Sequence, residues 1–126
     1  MTDSGHVALR VPARGEFART ARLVAAELAT RAGMCIDDVD DVRLAVEEAF
    51  VYACERSASG WVDCAFTLAE GSVELLLGPL PPGCDDPDTG EAGERYARFI
   101  LEAICDEFEI IENAEGCFLR LVKRAA

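Results

Sequence analysis

Residues 41–49 read Asp41-Val42-Arg43-Leu44-Ala45-Val46-Glu47-Glu48-Ala49, and the apolar positions in and around them decide the fold. Val39, Val42, Val46, Ala49 and Ala53 recur at steps of three and four, which puts their side chains on one face of an α-helix. Leu44 and Val51 add a second apolar side, so the spacing predicts a helix that is apolar over a wide arc and largely buried. Asp37 stands where it can cap this helix.

Upstream, Val7, Leu9 and Val11 alternate with polar or small residues and stop at Pro12, which predicts a strand with one buried face. From Gly15 onward Phe17, Ala21, Val24 and Leu28 form a helical stripe, with Arg19, Arg22 and Glu27 off it, and Gly33 closes that helix. Past Ser57-Ala58-Ser59-Gly60, the residues Val62, Cys64, Phe66 and Leu68 alternate with Asp63, Ala65 and Thr67. The chain then turns at Glu70-Gly71 and resumes as Val73, Leu75 and Leu77, a hairpin. A third helix is expected to face inward with Tyr96, Phe99, Ile100, Ala103 and Ile104, and residues 108–111 and 117–122 read as a second hairpin turning at 113–116. Strand, helix, helix, two strands, helix, two strands predicts an α+β fold. It is a two-layer sandwich in which helices cover one face of a mixed, mostly antiparallel sheet.

The chain has 126 residues, 51% of them hydrophobic, enough for a single domain over residues 7–124 behind a disordered start at 1–6. The only composition break, the Gly-, Pro- and Asp-rich stretch 78–93, reads as a loop within that domain. No run approaches the roughly 20 apolar residues of a membrane span, and Met1-Thr2-Asp3-Ser4-Gly5-His6 lacks the layout of a signal peptide, so a soluble cytoplasmic protein is expected. The six cysteines form no C-x-x-C pair, and free thiols in a reducing compartment are expected. His6, the sole histidine, lies in the expected mobile start, which argues against a zinc site and against a nucleophile–imidazole triad. The net charge of −12, with acids clustered at 37–41 and 85–91, disfavours nucleic acid and anionic lipid. The same surface keeps the protein in solution and would steer a basic protein partner toward it.

The 41–49 segment resembles the second helix of the anti-sigma-factor serine kinases, which belong to the GHKL (Bergerat) ATPase superfamily. Val11-Pro12-Ala13 and Glu16-Phe17-Ala18-Arg19 resemble that family's first strand and partner-binding helix, and residues 99–110 resemble its last helix and following strand. The likeness is collinear from about Val7 to Val122. It implies the Bergerat sandwich, and it implies three nucleotide-binding features against which this sequence can be compared.

In the family, the second helix carries a Glu that acts as general base and, four residues later, an Asn that holds magnesium; positions i and i+4 share a helix face. Here Glu48 matches the base, while Tyr52 stands at the Asn position. A neutral phenol is a poor magnesium ligand, and its ring is expected to plug the space for metal and phosphates. The family's D-x-G-x-G turn, whose Asp meets adenine, is replaced by Pro79-Leu80-Pro81-Pro82-Gly83, of which only Gly83 matches. The glycine-rich lid that would cradle phosphates is replaced by Glu94-Arg95-Tyr96-Ala97-Arg98.

No cofactor is therefore expected, and the resemblance implies an anti-sigma-like protein that binds a sigma factor or an anti-anti-sigma-type antagonist without nucleotide control. Arg19 on the first helix matches an arginine of that family's partner surface, Glu16 and Arg22 are expected to flank it on or near the same exposed arc as further partner-binding residues, and pairing of two copies through the sheet edge is implied as well. The alternative is an active kinase that phosphorylates serine on an anti-anti-sigma factor with ATP, magnesium being held by Glu48 and a displaced acid such as Glu47. A third reading keeps only a dimerisation module. Trp61 is expected to open a strand and pack at its edge.

Overall fold

Period-two burial fixes the strands. Val11 of β1 (Gly5–Pro12), Val62, Cys64, Phe66 and Leu68 of β2 (Trp61–Ala69), and Val73, Leu75 and Leu77 of β3 (Ser72–Leu80) are buried on one face. The computed structural model describes residues 5–83 and 92–126, the side chains of 92–95 excepted. With β4 (Glu107–Asn113) and β5 (Gly116–Arg124) the strands form one sheet in the order β1-β2-β3-β5-β4. Each of its four pairings is antiparallel, so the parallel component of the expected mixed sheet is absent among the described residues. The pairings Val11 with Val62, Phe66 with Leu75, and Leu75 with Leu121 align the inward residues in rows across the sheet.

Three helices, α1 (Ala18–Arg31), α2 (Ile36–Arg56) and α3 (Ala92–Ile104), cover that face. The central one is α2, which packs against α1 on one side, α3 on the other and β3 and β5 beneath. Val42, Ala45, Val46, Ala49, Phe50, Tyr52 and Ala53 bury its inner arc. Ala21, Ala25 and Ala29, all fully buried, let α1 approach it closely. The helix α1 stops at Gly33, whose φ of +84° lies in the left-handed region that glycine tolerates. Gly78 serves a different need, since a Cβ there would stand 2.7 Å from the carbonyl oxygen of Cys117 where β3 and β5 come together.

Several local expectations are corrected. The first strand begins at Gly5, and His6 lies within it, its Nδ1 3.2 Å from Thr67 Oγ1, so order starts earlier than residue 7. Gly15–Phe17 is a 3-10 turn that precedes α1. Asp37 does not cap α2: the helix starts at Ile36 behind Cys35, and Asp37 and Asp38 sit in its first turn, where the helix dipole favours carboxylates. Asp38 is buried and accepts hydrogen bonds from the Ala126 amide (3.0 Å) and the Cys35 thiol (3.4 Å), which hold its carboxyl below the usual range. Leu44 and Val51 are 39% and 38% exposed, because only one arc of α2 meets the sheet and its helical neighbours.

The largest correction concerns α3. Ala97 and Leu101 face inward, with Ile104 packed against the core, whereas Tyr96 and Phe99 are 65% and 70% exposed and Ala103 also faces solvent. Both stripes have helical spacing. Tyr52 of α2 already occupies the space beneath α3, beside Leu101, and the slimmer stripe fits over it.

Two substitutions test this phase. Leu101→Ala should lower unfolding stability by about 2–5 kcal/mol in urea titration, as large-to-small changes in cores do. Phe99→Ala should change it by less than about 0.5 kcal/mol, as exposed positions do.

Candidate functional site

Glu48 and Tyr52, one turn apart on α2, lie on the side of that helix that faces α3. Tyr52 is 8% exposed, and the guanidinium of Arg56, one turn further on, stacks over its ring at 4.3 Å from the centroid. Around the phenol close Arg98 and Leu101 from α3, Phe108 and Ile110 from β4 and Leu119 from β5, leaving a cavity of about 10 Å³. That volume is at the lower limit for one water molecule.

Glu48 itself is half-buried and makes no hydrogen bond or ion pair among the described residues. Burial, and then the neighbouring charge of Glu47, push its carboxyl above the usual range. Glu47 is engaged elsewhere: its Oε1 lies 3.3 Å from Arg22 Nη1 in a half-buried pair that bridges α1 and α2. Arg22 thus turns toward α2, which corrects its expected place on the exposed arc beside Arg19. It also leaves Glu47 paired with an arginine rather than free to hold a metal with Glu48. Among the described residues no group of three His, Cys, Asp or Glu side chains is placed to hold a metal ion.

The other two nucleotide features fare as follows. Pro79 is exposed in β3, in the irregular stretch of pairing between Leu77 and Leu80, and presents no carboxylate. Gly83 is exposed with φ of +90°, and its amide donates to a carboxylate oxygen of Glu112. An amide engaged in this way is not offered to a ligand. The acids expected at 85–91 lie outside the described residues, as do the side chains of Glu94 and Arg95. Tyr96 points to solvent, and Arg98 forms an ion pair with Glu102 at 3.0 Å.

On α1 the exposed arc runs through Arg19, Leu23 and Glu27, with Glu16 exposed in the 3-10 turn just before it. Glu16 pairs with Arg14 at 3.3 Å, and Arg14 stacks over Phe17 at 5.0 Å. Arg19 is exposed and makes no ion pair or hydrogen bond among the described residues. One turn on, Leu23 is 55% exposed. The sequence reading did not single out Leu23, because a single apolar residue off the main stripe leaves no periodic signal.

The cysteines divide. Cys35, Cys54, Cys64 and Cys105 are free thiols, and burial pushes Cys64 up to about 12 and Cys105 up to about 11, which leaves both unreactive. Cys117 is disulfide-bonded, which corrects the expectation that all six thiols are free. Trp61 opens β2 as expected and is 48% exposed. No helix among the described residues is long and apolar enough to cross a membrane.

A family model described as the histidine kinase-like ATPase domain matches residues 11–123. The chain is 25% identical over 146 residues to the serine-protein kinase RsbW of Oceanobacillus iheyensis, an alignment that covers 100% of this chain and 90% of that one. It is 23% identical over 141 residues to the RsbW of Bacillus subtilis, covering 96% and 86% of the two chains. In three dimensions it resembles the crystal structure of the RsbU and RsbW domains of Rv1364c from Mycobacterium tuberculosis, with a TM-score of 0.70 and 21% identity over 95% of this chain. The chain spans about a third of that larger polypeptide, 32% of its length, and the likeness there is one of fold.

The carboxyl of Glu48 supplies a pH test. A raised folded-state value means the unfolded chain ionises more readily, so the stability that neutral Glu48 contributes is present below the unfolded value and lost as pH rises through the folded one. Glu48→Gln should therefore raise the urea midpoint at pH 7, and the gain should vanish when the pH falls below the ordinary glutamate value of 4.5.

Proposed function

Because this chain belongs to the histidine kinase-like ATPase domain family, we propose that it is an anti-sigma-type regulator that acts by binding protein, with ATP binding and serine kinase activity lost. The RsbW relatives are serine-protein kinases, and the same domain in this chain carries a filled space where their chemistry would need room. The observation that carries this reading is the burial of Tyr52, at the position where the family's amide would hold magnesium, in a gap of about 10 Å³. Pro79 and the engaged amide of Gly83 support it from the adenine side. Glu48 keeps the family's base in sequence, but a base needs a positioned substrate hydroxyl and a phosphoryl donor to act on.

The binding surface is the outward face of α1, with Arg19 and Leu23 at its centre and Glu16 at its edge, and the partner is a sigma factor or an anti-anti-sigma-type protein. An unpaired arginine beside an exposed leucine gives such a contact both direction and apolar area. Arg22 supports the surface from behind by tying α1 to α2 through Glu47. Pairing of two copies through a sheet edge belongs to the same reading, with β1 and β4 the edge strands.

Calorimetric titration with ATP and magnesium should give no saturable binding up to millimolar nucleotide; micromolar affinity, or phosphorylation of a copurifying protein, would overturn the reading. Arg19→Glu should weaken association with the copurified sigma factor or antagonist by about tenfold or more. The urea midpoint of that variant should stay unchanged, and Glu115→Lys, in the distant β4–β5 turn, should leave association intact.

A further inference from the structure

We draw no further inference here: the strongest candidate, the hollow of about 360 Å³ on the open face of the sheet lined by Ala8, Arg10, Asp63, Ala65 and Phe118, carries nothing because it is an unpartnered sheet face and nothing in the structure shows what covers it.

Discussion

Burial of the Tyr52 ring between α2, α3 and the inner face of the sheet is the contact on which the rest of this structure depends. A phenol at that position needs cover on every side, and it receives it from Leu101 and Arg98 above, Phe108, Ile110 and Leu119 around it and Arg56 stacked over its face. The ring volume dictates which stripe of α3 can approach, so Ala97 and Leu101 go in and Tyr96 and Phe99 are left out. One packing decision therefore closes an interior space and creates an aromatic surface at the same time.

Charge is arranged around this packing rather than within it. The open face of the sheet is laced by ion pairs: Arg10 with Asp63 at 2.7 Å, and Arg120 with Glu74 at 2.9 Å, Glu107 at 3.1 Å and Glu109 at 3.2 Å. Exposed pairs of this kind contribute little stability each and serve mainly to keep that face solvated. Lys123 ties the layers together, with Nζ 3.3 Å from Asp41 of α2 and 3.1 Å from the carbonyl oxygen of Ile104 at the end of α3. Against that background the groups without partners are few, and Arg19, Glu48 and Glu55 stand out because each lies beside an exposed apolar side chain.

On the function proposed above, this Bergerat-type sandwich is a scaffold that keeps protein-binding surfaces while its nucleotide chemistry is lost. Function lives in the site and not in the fold, so the proposed loss of catalysis rests on Tyr52 and not on the architecture.

The sequence by itself determined the strands, their inward residues, both hairpins, the order of elements and the family, because alternation, turn glycines and helical spacing are local properties of the chain. It also located the residues whose identity departs from the family, Tyr52 and Pro79, since identity needs no coordinates. Tertiary structure alone decided which of two apolar stripes on α3 faces inward, that Arg22 turns to Glu47, that Leu44 and Val51 stay in water, and that Cys117 is bonded. Each of those depends on what arrives from a distant part of the chain to fill or to leave a particular volume. Periodicity reports that a helix has an apolar side, but only the space left by its neighbours says which side that is.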